Sequence, residues 1–173
     1  AEQINKQFAP YSFDDESMLM FKINAPIINR IIDYLSSPTA LKFLEELTGI
    51  EDLKADPDLM GAGVHRILSG GKLDIHADFN FQPSIKKWRR INLLLYMNKD
   101  WQDEWGGHLE IWDKDMSKCC TKIAPLFNRV AIFNITDDAY HGHPYPLNTP
   151  TGITRDSIAL YYYTDDRPEH EKA

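Results

Sequence analysis

Residues 73–81 are the segment that most restricts the fold of this chain, because apolar and polar side chains alternate along its whole length. A period of two predicts a half-buried β-strand. The polar positions are Asp74, His76, Asp78 and Asn80. Since successive strand side chains point to opposite faces, His76 and Asp78 are expected to project together. An imidazole beside a carboxylate supplies two of the three ligands of the facial triad that holds non-haem Fe(II).

The His-x-Asp pattern is a weak signal by itself, because a chain with six histidines and many aspartates contains such triplets by chance. A polar strand face turned to water explains the triplet equally well. A metal site needs a third ligand, expected to be a histidine on a later strand. Segment 140–144 offers His141 and His143. Spacing alone leaves both open, and a polar strand end at the surface is the alternative for the pair.

From residue 61 onward, short strand patterns follow one another with turns between them. The candidate strands are 64–68, 73–81, 91–98, 108–112, 130–134, 140–145 and 157–164. The longer segments between them, such as 113–128, are predicted to be loops. Many short strands without helices between them favour an antiparallel sandwich or barrel such as a jelly roll. The predicted fold class is therefore mainly β with N-terminal helices.

Residues 24–49 carry two helical patterns that are expected to support the sheet. In the first, apolar residues recur at the i, i+3, i+4, i+7 spacing, and Asn24 is the expected N-cap. The second begins with Ser37 as N-cap and Pro38 at the first helical position, and it ends at Gly49. The side chains predicted to point inward are Leu41, Leu44 and Leu47. Packing against a sheet is favoured over a groove for a partner.

Length and charge limit the class of protein to which the chain belongs. Its 173 residues suit a single domain, 1–173, with helical support at about 24–49 and a β core at about 61–164. The net charge of -7, from 19 basic and 26 acidic residues, argues against a surface that binds nucleic acid. No stretch of about 18 apolar residues occurs, so no membrane span is expected.

The two cysteines, Cys119 and Cys120, are neighbours in the chain. A disulfide between adjacent residues closes a strained ring, so both are expected to be free thiols. Free thiols, and an N-terminus without an apolar signal segment, favour a cytoplasmic location. Ala1 stands where a start methionine is usual, which suggests a trimmed N-terminus.

An arginine opens the last strand pattern of the chain. Arg155 and Ser157 fall on the same face of that strand. A guanidinium that points into a barrel beside a metal site must be neutralised, because a buried unpaired charge is very costly. A ligand carboxylate does this well, since the two groups can form a pair of parallel hydrogen bonds. An exposed arginine at a strand start is the alternative.

Taken in order along the chain, these motifs resemble those of one enzyme family. His76-x-Asp78 comes first, His141 follows on a later strand pattern, and Arg155-x-Ser157 opens the last one. This set and its order are similar to those of the 2-oxoglutarate/Fe(II)-dependent dioxygenases. Each motif alone is common, but their combination is specific.

Two further segments are similar to the prolyl-4-hydroxylase-like branch of that family. Residues 91–101 read Ile-Asn-Leu-Leu-Leu-Tyr-Met-Asn-Lys-Asp-Trp, and residues 106–111 read Gly-Gly-His-Leu-Glu-Ile. In that branch a strand ending in Tyr-Leu-Asn runs into a loop with a tryptophan and then into Gly-Gly. The resemblance covers residues 61–164 in detail, and the two preceding helices fit the family's usual support for the outer sheet.

The resemblance implies a double-stranded β-helix, which is a cupin-like jelly roll, with Fe(II) bound by His76, Asp78 and His141. The family's distal ligand is the histidine followed by glycine and then a variable residue. His143 takes the variable position, where a hydrophobic residue is more usual. The implied reaction uses 2-oxoglutarate and O2 as co-substrates, releases succinate and CO2, and hydroxylates an unactivated C–H bond. Asp78 favours hydroxylation, because related halogenases lack this carboxylate.

The resemblance also assigns a binding pocket to the co-substrate. Arg155 would bind the distal carboxylate of 2-oxoglutarate, and Tyr96 would donate a hydrogen bond to the same group. Ser157 would add a hydroxyl, and Leu109 and Tyr161 would line the pocket. The segment between the distal histidine and the arginine is rich in Pro, Thr and Gly, so it is expected to form a loop at the mouth.

Two other functions are compatible with these residues. A cupin-like metal enzyme that does not use 2-oxoglutarate would take His76, His141 and His143 as ligands, and Arg155 and Tyr96 would then be structural. A second alternative is a 2-oxoglutarate-binding sensor without catalysis. Turnover of 2-oxoglutarate to succinate distinguishes a dioxygenase from both.

The primary substrate is not fixed by the sequence. Peptidyl proline is the family-level expectation, and a small molecule is the alternative. Residues 86–90, Lys-Lys-Trp-Arg-Arg, form a basic aromatic segment that could bind an acidic partner. A solvated strand end is the commoner explanation of such a segment.

Overall fold

The computed structural model describes residues 26–171, so the expected N-cap, Asn24, lies outside the described residues. Two α-helices, α1 (Pro26–Leu35) and α2 (Pro38–Thr48), precede the strands. The strands are β1 (Lys54–Ala55), β2 (Gly63–Ile67), β3 (Leu73–His76), β4 (Phe81–Gln82), β5 (Lys87–Tyr96), β6 (Leu109–Trp112), β7 (Cys119–Ile123), β8 (Val130–Asn134), β9 (His141–His143) and β10 (Arg155–Thr164). Neither α-helix is long and apolar enough to cross a membrane.

The strands form two antiparallel sheets, as the predicted jelly roll requires. In the larger sheet, β10 and β5 lie side by side at the centre, and their register runs from Ser157 opposite Tyr96 to Thr164 opposite Trp88. β1 and β2 pair with the other edge of β10, and β4 and β8 pair with the other edge of β5. The smaller sheet has the order β3-β9-β6-β7. The predicted fold class, mainly β with N-terminal helices, is confirmed.

Alternation along the central strands gives the larger sheet two different faces. Ile91, Leu93 and Ile158 belong to the main core, which the sheet shares with both helices. Burial of each such aliphatic side chain contributes roughly 1.5–3 kcal/mol to stability. A second, smaller cluster forms around Tyr96 and Leu109, which come from the two different sheets. The helices therefore hold one face of the larger sheet, and its other face meets the smaller sheet.

The boundaries of α2 follow the signals in the sequence. The Ser37 hydroxyl accepts a hydrogen bond from the Ala40 N–H at 3.4 Å, which caps the helix. The helix ends at Gly49, whose φ of 71° is in the left-handed region that favours glycine. Leu44 is buried, but Leu47, predicted to point inward, is 57% exposed. Leu47 lies in the last turn of α2.

One predicted strand and one predicted loop differ from the structure. Segment 73–81 is not one strand, because β3 ends at His76 and the chain then crosses to the larger sheet, where Phe81 pairs with Trp88. The predicted loop 113–128 contains a strand, β7, at the edge of the smaller sheet. Its residues are polar or half-exposed, so the apolar alternation that marks a strand is missing there.

Candidate functional site

Three side chains that the sequence assigns to a metal site lie together in the structure. His76, Asp78 and His141 each offer a ligand atom, and these atoms are all within 4.8 Å of one another. Nε2 of His76 lies 3.5 Å from Oδ1 of Asp78, and Nε2 of His141 lies 3.4 Å from Oδ2. His76 and His141 are opposite each other in the pairing of β3 and β9, and their ring centres are 4.6 Å apart. The pairing of these strands therefore brings the two histidines together.

The backbone fixes the orientation of both imidazole rings. Nδ1 of His76 donates to the carbonyl oxygen of Asp74 at 2.8 Å, and Nδ1 of His141 donates to that of Ala139 at 2.9 Å. Because a carbonyl oxygen can only accept, each Nδ1 carries a proton, which leaves Nε2 as the nitrogen that can bind a metal. Both Nε2 atoms lie beside Asp78, as a shared metal site requires.

The carboxylate of Asp78 is held by residues of the opposite sheet. Its Oδ2 accepts a hydrogen bond from Nδ2 of Asn92 at 2.7 Å and lies 2.9 Å from Nη2 of Arg89. Burial acts to raise the pKa of Asp78, but its contacts with His141, His76, Arg89 and Asn92 outweigh burial and hold that pKa well below its usual range. Asp78 is therefore bonded to β5 of the larger sheet, two residues beyond the end of β3.

Arg89 reaches the site because of a β-bulge in β5. Ile91 is opposite Tyr162 and Arg89 is opposite Tyr163, which makes Arg90 an extra residue between the two pairs. Side chains alternate faces along a strand, and one extra residue reverses which of its neighbours points inward. Arg89 therefore faces the site. The sequence analysis missed this residue, and the only signal for it was a basic residue close to a predicted carboxylate ligand.

Arg155, the first residue of β10, forms the other end of the site. It is only 4% exposed, its Nε donates to the carbonyl oxygen of Gly107 at 2.8 Å, and its Nη2 donates to Oη of Tyr96 at 3.3 Å. Within residues 26–171, no carboxylate forms an ion pair with Arg155. Burial lowers the pKa of Arg155, while Tyr96 acts in the opposite direction. A buried guanidinium without a counter-charge is costly, so this end suits an anionic ligand.

Gly107 must be a glycine for Arg155 to take this position. Its φ is 69°, and a Cβ atom there would lie 2.5 Å from Cδ2 of Leu147 and 3.0 Å from Cδ of Arg155. A side chain would therefore be strained and would also displace the arginine. This contact gives the Gly-Gly pair of the sequence a physical role in the site.

A cavity of about 140 Å³ joins the three-ligand cluster to Arg155. The structure places Leu109, Ser157 and Tyr161 along this cavity. Tyr96 differs from them, since it is fully buried and its hydroxyl contacts Arg155. The lining includes further residues that the sequence analysis did not select, among them His65, Leu94, Asn92 and Phe133.

His143, the alternative to His141, lies outside the three-ligand cluster. It is 3% exposed and lines the cavity. Neither of its ring nitrogens has a hydrogen-bond partner in the described part of the chain. Burial, together with the charges of Arg155 and His76, lowers the pKa of His143 to about 3, so its ring is neutral. The structure therefore separates the two histidines, with one in the cluster and the other farther along the cavity wall.

The basic segment 86–90 does not form a continuous cationic surface. Arg89 is buried against Asp78, and the side chain of Lys87 is paired with a carboxylate of the C-terminal segment. Nη2 of Arg90 lies 3.0 Å from Oε1 of Glu171. Arg89 and Arg90 are both buried, so the segment is not a solvated strand end either, and its two arginines are paired within the protein.

The donor set fits Fe(II). Two imidazole nitrogens with available lone pairs and one carboxylate match the two-histidine, one-carboxylate triad, which leaves coordination positions open. The same cavity contains a buried arginine that lacks a carboxylate partner within the described residues. The arrangement can therefore hold a metal at one end and the far carboxylate of a metal-bound dicarboxylate at the other.

Comparison with known sequences agrees with this reading of the site. A model of the 2OG-Fe(II) oxygenase superfamily matches residues 62–163. These residues include all ten strands except β1 and the last position of β10. No curated protein matches the chain.

Comparison with solved structures finds prolyl hydroxylases. A structure of prolyl 4-hydroxylases from Phytophthora capsici matches with a TM-score of 0.57 at 20% identity, over 80% of this chain and 43% of that one. A Pseudomonas putida prolyl-4-hydroxylase matches with a TM-score of 0.59 at 15% identity, over 96% and 84% of the two chains. A Trichoplax adhaerens prolyl hydroxylase, in complex with a hypoxia inducible factor peptide fragment, matches with a TM-score of 0.58 at 19% identity, over 94% and 75%.

At these identities the structural likeness establishes the fold, and this chain spans less than half of the Phytophthora capsici protein. The family model covers more than half of the chain. Membership in this family implies Fe(II) as the metal and 2-oxoglutarate and O2 as co-substrates. The chain belongs to the 2OG-Fe(II) oxygenase superfamily.

Proposed function

We propose that His76, Asp78 and His141 bind the Fe(II) and that Arg155 binds the distal carboxylate of 2-oxoglutarate. The proposal is supported by the groups found at the two ends of one cavity. Its two ends are a cluster of three ligand atoms within 4.8 Å and a buried guanidinium without a carboxylate partner among residues 26–171. A dicarboxylate that reaches both ends would occupy open coordination positions and neutralise the arginine at the same time.

The residues around the proposed metal site have separate roles. Bound Fe(II) supplies the activation of O2, coupled to conversion of 2-oxoglutarate into succinate and CO2, by which a substrate C–H bond becomes C–OH. His76 and His141 present Nε2 because backbone carbonyls hold their Nδ1 protons. Asn92 and Arg89 hold one oxygen of Asp78, which fixes the direction in which the carboxylate can bind a metal.

At the co-substrate end, the chain positions an anion and keeps water out. The carbonyl of Gly107 and the hydroxyl of Tyr96 hold the guanidinium of Arg155 in one orientation. The hydroxyl of Ser157 is available beside it for a further hydrogen bond. Leu109 is buried and apolar, so it shields this part of the cavity from solvent.

We further propose that the primary substrate is a proline residue in a peptide. The three solved proteins compared above are prolyl hydroxylases, and one of them is bound to a peptide fragment. Exposed aromatic side chains follow two site residues closely in sequence. Phe79, next to Asp78, is 50% exposed, and Tyr145, two residues after His143, is 65% exposed. Such apolar surface suits an extended peptide better than a small polar metabolite.

The test is an activity screen of the protein loaded anaerobically with Fe(II). 2-Oxoglutarate and a panel of proline-containing peptides and small metabolites are added, air is admitted, and mass spectrometry detects the gain of one oxygen atom and the release of succinate. Hydroxylation of a peptidyl proline, lost in Asp78→Ala, is the expected result. Hydroxylation of metabolites alone would reject the peptide substrate, and oxidation without succinate would favour the cupin-like alternative.

We also propose that the helices and both sheets act as one dioxygenase domain. α1 and α2 share a core with the larger sheet, which supports this unit. The extent 1–173 stays a prediction, and so does the absence of nucleic-acid binding, which depends on the net charge of -7. A cytoplasmic location is proposed from the cysteines, since Cys119 and Cys120 are both free thiols.

A further inference from the structure

His143 is a buried polar side chain whose hydrogen-bonding groups are not satisfied by the protein. It is 3% exposed, and neither Nδ1 nor Nε2 has a partner in the described part of the chain. The other cavity histidines differ from it, because Nε2 of His65 contacts the carbonyl of Gly61 and Nδ1 of His76 and of His141 each donates to a carbonyl. Leaving a buried polar group unpaired is costly, so the two unpaired ring nitrogens of His143 require an explanation.

The position of His143 places it toward the arginine end of the cavity. It is two residues beyond His141 on the same face of β9, about 7 Å farther along the strand at ~3.3 Å per residue. His143 borders the same cavity as Arg155, and together with Gly107 it also borders a second pocket. Gly107 is the residue whose carbonyl accepts the Nε proton of Arg155. The imidazole therefore borders the cavity that contains both the three-ligand cluster and Arg155, and it shares the second pocket with the residue that orients the guanidinium.

We infer that His143 donates a hydrogen bond to the distal carboxylate of bound 2-oxoglutarate and so determines affinity for this co-substrate together with Arg155. This inference rests on the proposed function, which places the co-substrate in the cavity. An imidazole has at least one N–H in either charge state, so it can always donate one hydrogen bond to a carboxylate. A carboxylate has lone pairs enough for the fork of Arg155 and for a third donor.

Among the described residues, the second pocket contains no unpaired charged group that would attract a ligand toward His143. Its acidic groups are already paired, since Oε1 of Glu110 lies 2.6 Å from Nζ of Lys122 and Oδ1 of Asp103 lies 2.8 Å from Nε2 of His108. The cavity side contains the guanidinium of Arg155, which has no carboxylate partner within residues 26–171. The unmatched charge lies on the cavity side, and the anion is therefore expected there.

The experiment compares His143→Leu and His143→Gln with the parent protein, with Mn(II) in place of Fe(II) so that no turnover occurs. Calorimetric titration measures the affinities for Mn(II) and for 2-oxoglutarate. We expect His143→Leu to bind Mn(II) normally and 2-oxoglutarate about tenfold more weakly, as for the loss of one charge-assisted hydrogen bond. Gln keeps an N–H donor, so it should restore most of the affinity. His108→Leu, in the second pocket only, is the matched control and should bind 2-oxoglutarate like the parent.

Thermal unfolding without ligand provides a second test. There His143→Leu is expected to keep or gain stability, although it loses affinity for 2-oxoglutarate. An apolar side chain of similar size removes two unsatisfied buried nitrogens, so His143→Leu should melt at the same temperature as the parent or higher. A histidine with a structural role would lower the melting temperature instead, and so would overturn the inference. Equal 2-oxoglutarate affinity in His143→Leu, or loss of Mn(II) binding, would also overturn it. If the parent itself fails to bind 2-oxoglutarate with Mn(II) present, the proposed function fails, and this inference with it.

Discussion

The guanidinium of Arg89 lies 2.9 Å from Oδ2 of Asp78, the carboxylate of the proposed metal site. The contact joins the larger sheet to a residue two positions beyond the end of β3 in the smaller one. It depends on the bulge at Arg90, because regular pairing of β5 with β10 would turn Arg89 to the opposite face. The ring of Tyr161 packs against the guanidinium, whose carbon lies 3.4 Å from the ring centre. Arg89 therefore acts through the metal ligand, as a positioning residue.

Arg89→Met should weaken binding of divalent metal by about ten- to a hundredfold, because partners of a metal ligand usually have effects of this size. Anaerobic titration with Fe(II) or Mn(II) measures the change. Arg90→Met is the matched control, since Arg90 is a neighbouring buried arginine that contacts Thr164 and Glu171 and not the site. Equal metal affinity in the parent and Arg89→Met would show that Arg89 has no positioning role.

His141→Ala should abolish metal binding, whereas His143→Ala should retain it. Of His141 and His143, only His141 directs Nε2 toward Asp78, at 3.4 Å, with its Nδ1 proton held by the backbone. Metal content after anaerobic reconstitution and desalting is the measurement. The reverse pattern would move the distal ligand to His143 and would favour the cupin-like alternative.

Arg155→Lys should weaken binding of 2-oxoglutarate by roughly tenfold or more while the metal still binds. Lysine keeps the charge but cannot form the two parallel hydrogen bonds that a guanidinium gives to a carboxylate, and ~1.4 kcal/mol corresponds to a factor of ten. Arg155→Ala should bind the co-substrate more weakly still. Titration of the Mn(II) protein checks both variants, and parent-like affinity in the two of them would assign Arg155 to a structural role.

The raised pKa of Tyr163 predicts how the free energy of unfolding changes at alkaline pH. Burial raises the pKa of Tyr163 to about 12, above the value of ~10 for an unfolded chain. A raised pKa gives stability that is fully present below pH ~10 and is lost as the pH rises from there to about 12, a change of roughly 2–3 kcal/mol. Tyr163→Phe should therefore flatten the loss of unfolding free energy over this range, measured by urea denaturation.

The hydroxyl of Tyr163 is buried without a hydrogen-bond partner within residues 26–171, so Tyr163→Phe should be neutral or stabilising at pH 7. Tyr162→Phe provides the contrast, because the Tyr162 hydroxyl donates to the carbonyl of Leu35 at 3.1 Å. That variant should be destabilised at pH 7. An unchanged alkaline slope in Tyr163→Phe would show that Tyr163 does not ionise at a higher pH in the folded protein than in the unfolded chain.

The residues that sequence analysis selected are mostly those whose position follows from strand periodicity. Ser157 and Arg155 share a face of β10 because they are two residues apart, and both line the cavity. His76 was placed correctly on β3. Asp78 was expected on the same strand, but it lies beyond the strand end, and long-range bonds to β5 bring it to the site. Sequence periodicity contains no information about such bonds.

Arg89 and β7 show what the sequence could not reveal. Arg89 and Arg90 are identical neighbours, and only the bulge decides which of them faces the site. A bulge depends on the pairing of two distant strands, so local pattern does not predict it. β7 lies at a sheet edge, where polar residues are tolerated on both faces and the apolar alternation disappears.

The most direct test of the central claim is whether 2-oxoglutarate chelates an iron held by the His76, Asp78 and His141 cluster. 2-Oxoglutarate is titrated anaerobically into the Fe(II)-loaded protein, and the visible charge-transfer band expected for this family's chelate is recorded. We predict a band that saturates at one co-substrate per chain and is absent in Asp78→Ala. A parent protein without this band, or a band of equal intensity in Asp78→Ala, would contradict it.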